Sequence, residues 1–157
     1  MKQKGHNTAF YIETLLLIVV FIGIILVLTR IFGMARKKSV EAREKTSAIC
    51  LCQNTAEAFA AAGDSKELLD LLNEKDNASI EEMGDKKGRI TAAYAADMTP
   101  DPKGSLKVKI AWEPDPSESG NPAGGDRILL QGTIQAKKGK KVIYTVTTSS
   151  YGKEGWK

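Results

Sequence analysis

One histidine and two cysteines are all that this 157-residue chain offers to most nucleophile and zinc chemistry. The histidine is His6, ahead of any foldable domain, so Ser-His and Cys-His pairs and most zinc sites are excluded from the soluble part. Cys50 and Cys52 lie two apart in a helical stretch. Their side chains diverge by about 200°, which forbids a mutual disulfide or a shared metal without unwinding. Cys52 is expected to behave as a small buried hydrophobe, with Cys50 more exposed and able to cross-link neighbouring copies. The carboxylates Asp97, Asp101, Asp115 and Asp126 fall in loops with nothing pairing them, so solvated turns are expected and catalysis is not. Internal repeats are missing, and so is a short apolar segment closed by a small-residue cleavage site of secretory type.

What is present is an apolar run from Ala9 to Ala35. Glu13 stands near its start, and the 16 residues between Glu13 and Arg30 carry no charge. Sixteen residues span about 24 Å as a helix, against a hydrocarbon core of roughly 30 Å, so the glutamate falls at the membrane boundary or just inside it. An ionisable group there is costly and usually has a partner. The bland alternative is a glutamate that snorkels to the headgroups or pairs with Lys4 in a plain single-pass protein.

The net charge of +4 is concentrated in two places, the run Arg36 to Lys45 and the turn Lys137-Lys138-Gly139-Lys140-Lys141. Glu41 and Glu44 interrupt the first, which reads as the solvated face of a helix rather than a site for anionic lipid. For the second, solubility and protection of a sheet edge outweigh nucleic-acid binding, because Tyr144 alone supplies an aromatic ring nearby.

Four stretches are expected along the chain: a tail over 1–8, a membrane helix over 9–35, a helical stem over 36–62 and a small α+β domain over 63–157. The stem should bury Ala48, Ile49, Cys52, Ala56, Phe59 and Ala60. Gly63 is expected to end it in the left-handed conformation, and Asp64 with Glu67 forms a capping box for a second helix bearing Leu68, Leu69, Leu71 and Leu72. Ser79 and Glu82 repeat that signal before a single helical turn near Gly84. Alternation then predicts strands in SLKVKIAWE, RILLQGTIQA and KVIYTVTTSSY, the last two joined as a hairpin through the lysine turn, with RITAAYA a weaker fourth.

Two short patterns stand apart. Asp115, Ser117, Ser119, Gly120, Asn121 and Asp126 follow an EF-hand-like spacing for calcium, opposed by Pro116, Pro122 and the absence of flanking helices, which favour a plain surface loop. Asn77-Ala78-Ser79 matches a glycosylation acceptor.

Lys4-Gly5, the segment Phe10 to Glu13, the apolar run to Phe32 and the stem from Ala35 to Ala62 together resemble the type IV pilins and the pseudopilins of type II secretion, in particular minor pilin-like proteins of Gram-positive bacteria. The resemblance implies an α+β pilin-like fold, in which a transmembrane helix continues into an amphipathic stem packed on a small antiparallel sheet. It also implies a non-enzymatic subunit of a pilus, secretion or competence-type assembly, no cofactor, and partners among other pilin-like subunits, membrane lipid and a prepilin peptidase. In that family the peptidase cuts after glycine and the glutamate is fifth in the mature chain. Here, counting back from Glu13 makes Ala9 the first residue with Thr8 before it, whereas cleavage after Gly5 leaves Glu13 eighth. Glu13 would neutralise a neighbour's terminal amine and so fix the register of a filament. The family places the domain outside the cytoplasm. The charge count across the anchor, Lys2 and Lys4 before it against Arg30, Arg36, Lys37, Lys38, Arg43 and Lys45 after it, favours the opposite side. The alternative function is a single-pass anchor carrying a small binding domain that never polymerises.

Overall fold

The computed structural model describes residues 4–84, 87–115 and 127–153. It divides into two compact units, Met1–Ala42 and Arg43–Lys157. Helix α1, Lys4–Ala61, begins in the first unit and ends in the second.

Within the first unit, every described side chain from 10 to 42 is exposed. Apolar residues dominate as far as Phe32, and an 18-residue window of the helix has a mean hydropathy of 3.0 with none of it buried. The helix is thus long and apolar enough to cross a membrane. Thr14 Oγ1 donates to the Phe10 carbonyl at 2.9 Å and Thr29 Oγ1 to the Ile25 carbonyl at 2.8 Å. Both hydroxyls are thereby satisfied inside the helix, as an apolar medium demands.

The second unit is α+β: the stem part of α1, helix α2 (Ser65–Leu72), and a five-stranded antiparallel sheet of β1 (Ala78–Gly84), β2 (Lys87–Tyr94), β3 (Leu106–Pro114), β4 (Arg127–Lys138) and β5 (Lys141–Lys153). Spatial order follows chain order, a simple meander. The strands turn Ile90, Ala92, Leu106, Val108, Ile110, Trp112, Leu130, Ile134 and Ala136 into one core with the stem. Alternation of period two puts these residues on a single face.

On the stem, Ala48, Cys52 and Phe59 are buried as expected, Ile49 and Ala56 are half-buried, and Ala60 is exposed. Ser47, Leu51 and Thr55 complete the stripe instead. Alanine buries too little surface to fix the rotation of a helix, whereas Leu51 does. The Thr55 hydroxyl enters the core because it donates to the Leu51 carbonyl at 2.8 Å.

The expected left-handed Gly63 is not found. Among the described residues the left-handed backbones are Asp76, Met98 and Gly139. The stem stops because the next helix claims its continuation: Asp64 Oδ1 accepts the Glu67 N–H at 2.8 Å, and the Glu67 carboxylate accepts the Gly63 N–H at 2.7 Å. A Cβ on Gly63 would lie 3.2 Å from that carboxylate oxygen, which gives the glycine a steric role. On α2, Leu68 and Leu72 are buried, Leu69 is half-buried and Leu71 is exposed.

The helical turn expected over Ser79 to Gly84 is the strand β1. Ladder pairing to β2 overrides a local cap, with a bulge between Ile80 and Glu82, and the two acids are held across the sheet rather than by a helix terminus. Arg89 takes Glu82 at 3.3 Å, and Lys109 takes Glu81. The weak fourth strand is β2, an interior strand eight residues long whose Ile90 is fully buried. The lysine turn closes β4 on β5 by two residues, with Lys138 opposite Lys141 and Gly139 at a φ of 58°, the positive value that such a hairpin needs at its first central position.

Candidate functional site

Glu13 is the charged residue in the run from Ala9 to Thr29. Helical backbone holds it on a surface where Phe10, Ile12, Leu16 and Leu17 are all more than half exposed. Ion pairs among the described residues are Arg89–Glu82, Lys109–Glu81 and Lys138–Glu44, and Glu13 is in none of them. In hydrocarbon a carboxylate is costly unless a cation answers it. Gly5, Thr8 and Ala9, which bear on processing, have helical backbone.

The cysteines separate as expected. Cys52 is fully buried, and burial pushes its thiol up to about 11, against a lowering hydrogen bond with the Ala136 backbone. Cys50 is half-buried. Of the loop considered for calcium, Asp115 follows β3 and its N–H donates to the Leu129 carbonyl at 2.9 Å. Ser117, Ser119, Asn121 and Asp126 lie outside the described residues. Among the described residues no three metal-ligating side chains converge.

Asn77 is 5% exposed and its Nδ2 donates to the Ala93 carbonyl at 3.1 Å, so the acceptor pattern sits in the folded interior and not on an accessible loop. Asp97 and Asp101 are turn residues. Asp97 Oδ1 accepts both the hydroxyl and the N–H of Thr99, which holds its carboxyl below the usual range. Asp101 Oδ1 accepts the Lys103 N–H at 2.9 Å.

On the outer face of the sheet a shallow depression of about 270 Å³ is lined by Glu82, Lys87, Arg89, Glu113, Gln131 and Thr133. Its Glu82 is engaged by Arg89. Glu81 beside it is held below the usual carboxylate range, first by the Lys109 ammonium and then by the Thr91 hydroxyl at 2.6 Å. Both acids are thus held by cations of neighbouring strands.

One contact had no signal in the sequence. Lys138 pairs with Glu44, across 94 positions, and pins the lysine hairpin to the first turn of the stem's domain. Only the fold could bring those two residues together. No family model, curated protein or solved structure matches this chain.

Proposed function

We propose that this chain is a membrane-anchored, non-enzymatic subunit of pilin-like or pseudopilin-like kind, working in a type IV pilus, type II secretion or competence-type assembly with its small domain outside the cytoplasm. The observation that carries the reading is Glu13: one carboxylate in the otherwise uncharged apolar stretch from Ala9 to Thr29, whose two threonine hydroxyls are already satisfied within the helix. In a bundle of such helices an unpaired ion is expensive, so the energetically acceptable arrangement sets each carboxylate against a neighbour's terminal amine. That pairing fixes the axial register of the subunits. The meander sheet packed on the stem supports the same reading as a rigid head carried by the assembling helix.

Mass analysis of the native N-terminus tests it. A chain shortened to begin within the first nine residues and N-methylated is the expected result; an unmodified start at Met1 or Lys2, with monomers after solubilisation, refutes the proposal in favour of an anchored domain that does not polymerise.

A further inference from the structure

The charges of the folded domain are not spread evenly. One end of the sheet gathers the end of β2, the start of β3 and the β4–β5 hairpin, because Tyr94 faces Leu106, Leu106 faces Lys138, and Lys138 faces Lys141. That end holds Lys103, Lys107, Lys137, Lys138, Lys140 and Lys141. The carboxylates on the hairpin side of this end are Glu44, which pairs with Lys138, and Asp97 and Asp101, which accept hydrogen bonds from Thr99 and the Lys103 amide; Glu74 and Asp76 lie at the same end on its far side, just before β1. Lys107, Lys137, Lys140 and Lys141 have no ion-pair partner among the described residues. Lys107 and Lys137 are direct cross-strand partners, a placement that repels and costs stability unless an anion answers it.

The Lys138–Glu44 pair also says which end of the domain this is. Glu44 is the second residue of the unit that begins at Arg43, so the lysines cluster at the end of this unit where its chain begins.

We propose that the lysine end of the sheet is a lipid-headgroup surface, which docks the unassembled domain on an anionic membrane leaflet through Lys107, Lys137, Lys140 and Lys141. This rests on the membrane-anchor part of the function proposed above. Each lysine near an anionic surface adds attraction that salt screens, and four of them on a two-residue hairpin and its neighbouring strand act together. Nucleic acid is the other polyanion to consider. Among the described residues the rings at this end are the buried Tyr94 and the half-buried Tyr144, too few to stack successive bases, which favours headgroup phosphates that need only point charges.

The test uses the full chain reconstituted in vesicles of phosphatidylcholine or of phosphatidylglycerol, with lysine reactivity read by acetylation and mass spectrometry. Lys66 and Lys87, on other parts of the domain, serve as internal references. The expected result is protection of Lys140 and Lys141 by about fivefold in phosphatidylglycerol relative to phosphatidylcholine, lost on raising the salt to about 1 M. Equal reactivity in the two vesicles, with the chain floating with both, overturns the headgroup surface and leaves the anchor standing. Failure to float with either vesicle overturns the anchor and the headgroup surface together. Protection by added duplex DNA in phosphatidylcholine, without protection by phosphatidylglycerol, overturns the proposal in favour of nucleic acid.

Discussion

Phe59→Ala is the substitution that most directly probes how the stem is held. Phe59 is fully buried, its ring centroid is 6.4 Å from that of Trp112 at an interplanar angle of 41°, and its edge lies over Gly132. Removing a buried phenyl ring costs about 3–5 kcal/mol. The site cannot collapse well, because Gly132 has no side chain to move in, so the upper half of that range is expected. For a domain whose whole stability is of the order of 5–15 kcal/mol, this is a large fraction. The structure supplies an internal control: a Cβ on Gly132 would lie 3.0 Å from the Phe59 ring. Gly132→Ala alone should therefore destabilise by about 1 kcal/mol through overpacking, whereas in the Phe59→Ala background the same methyl fills vacated space and should stabilise. Urea unfolding of the four chains in detergent, followed by tryptophan fluorescence, measures the cycle. Strict additivity of the two changes would refute the packing of this ring against the sheet.

Three further outcomes follow from the packing and pairing of the domain. Gly104→Ala should destabilise by about 3 kcal/mol or more, since its Cβ would fall 2.1 Å from the Tyr94 carbonyl oxygen, a backbone atom that cannot step aside; thermal unfolding reads it. Glu81→Gln should cost at most about 0.5 kcal/mol at neutral pH, because the pair is partly exposed. The contribution of Glu81 has a definite sign: its carboxyl is depressed in the folded state, so the stability it gives is complete above the ordinary glutamate value and is lost as pH falls below it, and a wild-type minus Glu81→Gln difference that grows with acidity would be wrong. Alkylation at pH 8 should modify Cys50 faster than Cys52, whose buried thiol stays protonated there, and both at one rate in denaturant; equal native rates would contradict the burial of Cys52.

Local periodicity reached the apolar helix, the α2 cap and strands β3, β4 and β5, because each repeats one physical pattern over many residues. Leu106, Val108, Ile110 and Trp112 alternate with Lys107, Lys109, Ala111 and Glu113, and all four are buried. The reading failed where a local signal competed with pairing at a distance. Ser79 and Glu82 imitate a helix cap, yet β1 forms because β2 offers it a ladder and Lys109 and Arg89 receive its acids. It failed again at Gly63, where a carboxylate four residues ahead took over the role expected of a left-handed backbone. Of the candidate site, Glu13 was legible because a charge within an apolar run stands out in one dimension. The lysine turn stood out for the same reason, but its contact with the stem did not, since Glu44 and Lys138 meet only after the meander has formed.

The central claim is that Glu13 positions one subunit against another. Amine cross-linking of intact cells expressing wild-type or Glu13→Gln chains, with immunodetection of the cross-linked ladder, measures it directly. The expected result is a loss of multimers by about tenfold or more in the glutamine variant, the equivalent of about 1.4 kcal/mol per contact, with unchanged monomer abundance and an intact domain. A ladder of unaltered intensity would contradict the account.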